Sequence, residues 1–149
     1  MKPLFVLIVV FVISNVSTLL LKGTLDYCLS GKIALAVMLL FTSLGHLLYT
    51  KGMTLMLPEF IPFKKDMIYA TGLLEAFAAI GLFVPQVSRM TGILLFVFFL
   101  LILPTNIRAS LKHINYETAT FDGPGPSYLW FRIPFQILLI AWTYYFVIH

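Results

Sequence analysis

Residues 67–84, MIYATGLLEAFAAIGLFV, form an apolar run interrupted only by small residues and by one carboxylate, Glu75, near its centre. The run is continuous rather than alternating, so it reads as a helix and not as a strand of a membrane barrel. Together with Asp66 it approaches the roughly 20 residues that cross a hydrocarbon core. A carboxylate halfway along such a helix is costly to insert and has to face a partner or a cavity instead of lipid. Stretches of the same character occupy residues 3–21, 33–50, 90–110 and 127–148. The chain therefore reads as an all-α, polytopic membrane protein of five spans, the third being 66–84.

Composition points the same way. Of 149 residues, 60% are hydrophobic and 11% charged, with a mean hydropathy of +0.99. A water-soluble domain of this size keeps too much surface to hide so much apolar area. The net charge of +4 and isoelectric point near 9.3 would suit nucleic acid. However, the ten Lys and Arg stand mostly at the ends of apolar runs, where they act as topology determinants, and no nucleic-acid partner is expected. Cys28 is the single cysteine, which rules out an intramolecular disulfide and the Cys-x-x-Cys chemistry of thiol relays.

One domain, 1–149, is expected. Lys2 and the apolar stretch 4–13 imitate a secretory leader, but no small-x-small cleavage pattern comes after them and Lys22 closes the run like a membrane boundary, so the first span is read as retained. The sequon at Asn15 and Ser17 lies inside that span and is inaccessible. Pro3 suits a first helical turn, and Pro85 ends the third span at a turn short enough to make spans three and four antiparallel neighbours. The segment 55–63 is apolar but short and holds Pro58 and Pro62, which predicts an interfacial or re-entrant piece. The segment 112–127 is polar and rich in Gly and Pro, which predicts a solvent loop.

Five spans put Lys2, Lys51, Lys64, Lys65, Arg108, Lys112 and Arg132 on one side and Lys22, Lys32 and Arg89 on the other. The richer side should be cytoplasmic, which places the N-terminus inside and the C-terminus in the periplasm of a cell inner membrane.

Depth gathers the polar residues of the spans. At the helical rise, Glu75 and Gln136 lie about 13 Å from the cytoplasmic ends of spans three and five, Arg132 about 7 Å, and His46 and Asn106 about 6 Å from theirs. All five fall in the cytoplasmic half or at the midplane. Gly72, Glu75, Ala76 and Ala79 share one helical face, so the carboxylate sits beside the small residues that permit close approach. Thr42, Ser43, His46 and Thr50 form a polar stripe on span two, and Arg132, Gln136 and Thr143 another on span five. Pro104 and Pro134 free the carbonyls of Leu100 and Trp130, for which Arg132 and Asn106 are suitable donors. Interhelical polar contacts average below about 1 kcal/mol in membranes. Inserting a charge costs roughly 2.5–3.5 kcal/mol, so helix gluing alone is a poor reason for an acid at this depth. A Glu75–Arg132 pair is expected at the centre of a ligand pocket made of His46, Glu75, Asn106, Arg132 and Gln136. His46 is the only histidine inside a span, which rules out a bis-histidine haem, and no metal site is expected.

Several motifs occur in an order that resembles the DoxX-like membrane proteins, Bacteroidota-type members in particular. They are Phe41-Thr42-Ser43-Leu44-Gly45-His46, Met56-Leu57-Pro58 with Ile61-Pro62, Tyr69-Ala70-Thr71-Gly72-Leu73-Leu74-Glu75, Gly81-Leu82 with Pro85, Leu103-Pro104-Thr105-Asn106-Ile107, and Phe131-Arg132-Ile133-Pro134-Phe135-Gln136. The likeness covers residue 33 to the C-terminus. Pro104-Thr105-Asn106 replaces the usual Pro-Ala-Asn, and His46-Leu47 the usual His-Phe. The resemblance implies a four-helix DoxX-like bundle over 33–149 with one added N-terminal transmembrane helix over 1–22. It also implies that the five pocket residues belong to a family signature. Members are linked to membrane oxidoreductase complexes, and distant relatives include sterol isomerases and assembly chaperones, so the fold alone does not choose an activity. The expectation drawn here is an inner-membrane subunit of a redox or detoxification system. Its pocket would take a quinone or another lipid-like ligand, with membrane lipid and an oxidoreductase subunit as partners and no cofactor of its own. The alternatives are an assembly or chaperone subunit and a lipid isomerase.

Overall fold

The computed structural model describes residues 2–149 and contains six α-helices among them. Helix α1 spans Lys2–Lys22, α2 Tyr27–Leu48, α3 Thr50–Met56, α4 Lys64–Gly81, α5 Pro85–Leu111 and α6 Leu129–Thr143. A 3-10 turn at Gly125–Tyr128 leads into α6, and a π-helical turn at Tyr144–Ile148 prolongs it.

Four helical segments are long and apolar enough to cross a membrane: Lys2–Lys22, Tyr27–Leu48, Pro85–Leu111 and Gly125–Ile148. The chain is thus all-α with the makings of a multi-pass membrane protein. The expected third span, α4, falls short. It has 18 residues and carries Lys64, Lys65, Asp66 and Glu75, three of the four charges crowding its first turn.

Helix ends obey local chemistry. Asp26 caps α2 by accepting from the Leu29 backbone N–H at 2.9 Å, which starts the helix six residues ahead of the apolar run. The helix ends at Leu48, two residues short of expectation, where Thr50 Oγ1 turns back to the His46 and Leu47 carbonyls. Pro85 occupies the first turn of α5, where its missing N–H is harmless.

Side-chain contacts order the helices. Lys2 Nζ reaches Glu117 Oε1 at 2.8 Å, so the start of α1 lies beside the 112–128 loop. Arg108 and Lys112 pair with Glu59, which brings the 57–63 turn to the same end. At the opposite end Lys32 Nζ donates to Ser88 Oγ, and Cys28 lies against the Phe146 carbonyl. Helices α1, α2, α4, α5 and α6 consequently alternate in direction, and the chain's two ends sit at opposite ends of the bundle. Helix α2 is central, flanked by α1 and α4, while α6 packs on α5. The core joins Leu7, Leu35, Met38, Leu39, Leu82, Leu95 and Leu139.

The 112–127 segment departs from expectation. Ile114 is buried, Asn115 and Thr120 form a bridge, and the Tyr116 carbonyl rests on α3 so closely that a Cβ on Gly52 would lie 1.9 Å from it. An apolar residue inside a polar loop needs cover, and α3 supplies it. The apolar segment at 55–63 likewise divides. Its first two residues complete α3, and the remainder turns at Pro58 with Phe60 and Phe63 exposed.

Candidate functional site

Glu75 is 5% exposed, held between α4 and α2. The two helices run antiparallel and touch because Gly72 faces His46: a Cβ there would sit 2.8 Å from His46 Cβ. Ser43 Oγ donates to the Gly72 carbonyl at 2.7 Å, clamping the same crossing. Thr42 Oγ1 donates to Glu75 Oε2 at 2.8 Å, and the Leu39 carbonyl is its alternative acceptor at 3.0 Å.

Thr71 Oγ1 orients His46, lying 3.2 Å from Nδ1 and 2.9 Å from the Ile68 carbonyl; with its proton on that carbonyl it accepts from Nδ1–H, and with Nδ1 unprotonated it donates to the ring. Nε2 is the nitrogen facing Glu75 Oε2, 3.6 Å away. Both oxygens of the carboxylate are thereby accounted for differently. Oε2 takes Thr42 and faces the imidazole, whereas Oε1 has no hydrogen-bond donor among the described residues and is not sealed from its surroundings.

The expected five-residue cluster divides in two. Arg132 does not pair with Glu75; its Nη1 donates to Asn106 Oδ1, joining α6 to α5. The guanidinium lies 5.9 Å from the Tyr116 ring centroid and 5.4 Å from that of Tyr128. Matched depth is only one coordinate, and azimuth is decided by which helices pack: α4 sits on α2, and α6 on α5. Gln136 belongs to the second group. It is buried and its Nε2 donates to the Phe99 carbonyl at 2.6 Å, one residue before the carbonyl that Pro104 releases. Gln136, and neither Arg132 nor Asn106, serves that proline-disturbed turn.

Three features of the sites carry no clear signal in the sequence. Thr42 and Thr71 are recognisable there only as polar residues on helix faces, since which hydroxyl meets an acid or an imidazole depends on the α2–α4 register. The aromatic pair around Arg132 brings together a loop tyrosine and a helix-start tyrosine twelve residues apart. Burial and the neighbouring Glu117 hold the Tyr116 phenol above its ordinary range, so it stays a neutral hydrogen-bonding group. Finally, a cavity of about 300 Å³ opens beside Arg132, bordered by Lys2, Tyr116, Glu117 and Tyr128.

Among the described residues no three His, Cys, Asp or Glu side chains converge as metal ligands. No curated protein matches the chain, and no solved structure does. Residues 35–147 match a family described as Domain of unknown function (DUF8561), a segment running from within α2 to the last turn, and the chain belongs to that family.

Proposed function

We propose that the protein is an inner-membrane subunit of a redox or detoxification system that holds a quinone- or lipid-like ligand by its polar head at Glu75 and His46. One observation carries this reading: Glu75 is nearly buried and fixed through Oε2, yet Oε1 is left without a protein donor among the described residues. A buried carboxylate is expensive when incompletely paired. A ligand hydroxyl donating to Oε1 would complete it, and proton exchange between Glu75 and His46 Nε2 would let the site accept or return that proton. His46 is oriented for the task by Thr71. The electron chemistry belongs to a bound quinone or to an oxidoreductase partner.

The ordered motifs that resemble DoxX-like proteins support reading α2, α4, α5 and α6 as a four-helix core with α1 added. The N-terminus is assigned to the cytoplasm and the C-terminus to the periplasm on the seven-to-three distribution of Lys and Arg.

The test is extraction in mild detergent and then chromatography of bound quinones and lipids. Wild type should retain a ligand at near-stoichiometric level, and Glu75→Gln should lose it while keeping its elution profile. Full retention by a folded Glu75→Gln variant would remove Glu75 from the function. A stoichiometric protein partner without ligand would favour the assembly subunit, and turnover of a sterol-like substrate the isomerase.

A further inference from the structure

We propose that the cavity beside Arg132 is a second site, separate from Glu75, which binds the anionic head group of a membrane amphiphile through a phosphate or carboxylate. The cavity holds about 300 Å³ between the C-terminal end of α5, the start of α6 and the 114–125 loop. That volume suits a head group and the beginning of its chains rather than a whole lipid.

Charge argues for an anion. Arg132 is half-buried on α6, and among the described residues only Asn106 takes one of its five N–H donors. Among the described residues no carboxylate lies within ion-pair distance of it, unlike Arg108 and Lys112, which share Glu59. Tyr116 and Tyr128 flank the guanidinium, and Arg132 itself borders the cavity. A planar fork with spare donors matches two oxygens of one phosphate or carboxylate.

Position argues for a lipid. The cavity lies at the end of the bundle where α1 begins, α5 ends and α6 begins, at the boundary between apolar helices and polar loop. Trp130, 87% exposed in the first turn of α6, is placed as interfacial aromatics are. Ile114 and Pro124 provide apolar walls for the first methylenes of the acyl chains. Basic pockets at this level between helices are suited to acidic head groups. Lys2 and Glu117 also border the cavity, and because they pair with each other they add little net charge to it.

Delipidated full-length protein in detergent would be titrated with phosphatidylglycerol or phosphatidylcholine of identical chains and read by native mass spectrometry. Wild type should bind one phosphatidylglycerol about tenfold more tightly than phosphatidylcholine, whose choline cation offsets the phosphate charge and is repelled by Arg132. Arg132→Gln should erase that preference, while Arg89→Gln, which removes one charge from the opposite end, should keep it. Glu117→Gln, which frees Lys2 beside the cavity, should strengthen phosphatidylglycerol binding several-fold, and Arg132→Lys, which keeps the charge without the planar fork, should weaken the preference and decides the matter if Arg132→Gln does not fold. A preference surviving Arg132→Gln, or unaltered by Glu117→Gln, would overturn the site. Inorganic phosphate raising thermal stability as much as the lipid would overturn its assignment to an amphiphile. Quinone retention at Glu75 is read separately, so either proposal can fail alone.

Discussion

At the scale of the residue, Glu75 illustrates how a single buried charge organises its neighbours. Thr42 meets one carboxylate oxygen, His46 faces the same oxygen, and Gly72 removes the bulk that would hold the imidazole away. The coupling partner is thus on α2 and not on α6. A double-mutant cycle of Glu75→Gln with His46→Gln should give a coupling energy of about 0.5–3 kcal/mol in thermal or denaturant unfolding. The cycle of Glu75→Gln with Arg132→Gln should be additive within about 0.5 kcal/mol, because the two share no partner. Coupling of equal size in both cycles would mean that the two polar groups communicate. That an acid at residue 75 needs company was legible in the sequence, since burial of an unpaired carboxylate is prohibitive whatever surrounds it. Which cation or hydroxyl provides it was not, because several candidates lie at similar depth.

At the scale of the element, loop and helix termini carry more of the architecture than hydropathy suggests. The 113–125 segment looks like solvent-exposed chain by composition, yet Ile114 enters the small core with Met56 and Ala109. The contact that allows this is Gly52, since any side chain there would meet the Tyr116 backbone. Gly52→Ala should cost about 1–3 kcal/mol by overpacking and should raise proteolytic cleavage within 113–125, with little change in helical content by circular dichroism. Unchanged cleavage would show that the loop does not depend on α3 for its position. The proline-disturbed helix α5 makes a related point. Sequence rules identify the disturbed turn, but the donor that reaches Phe99 comes from Gln136 because the antiparallel α5–α6 register sets those two residues opposite each other.

At the scale of the whole molecule, the alternation of five helices divides the charged contacts between the two ends of the bundle. Lys2 lies at the end bearing Arg108, Lys112 and the 57–63 turn, and Lys32 at the other. Reporter fusions placed in 22–26 and in 117–122 should accordingly land on opposite sides of the membrane, the second on the cytoplasmic side. Both reporters on one side would mean that one of the helices between them, α2, α4 or α5, does not cross. Helix α4 is the critical element, because its charged first turn leaves it outside the set of helices apolar enough to span by composition. Its polar face is covered by α2, so it relies on a protein neighbour where α1, with exposed Phe5, Leu20 and Leu21, relies on surrounding apolar medium.

The properties legible from residue order are one-dimensional: the helical character of each apolar run, the proline- and glycine-marked breaks, and the position of each polar or charged group along its helix. They depend on length, hydrophobicity and helical rise, which a chain carries irrespective of its neighbours. The second coordinate, the pairing of faces, arises only on folding. Gly72 and Ser43 set α4 against α2 and gave Glu75 to Thr42 and His46, while α5 and α6 gave Asn106 to Arg132. Residues expected in one cluster therefore fall into two groups, because close packing of small and large side chains, which no periodicity records, selects which helix faces meet.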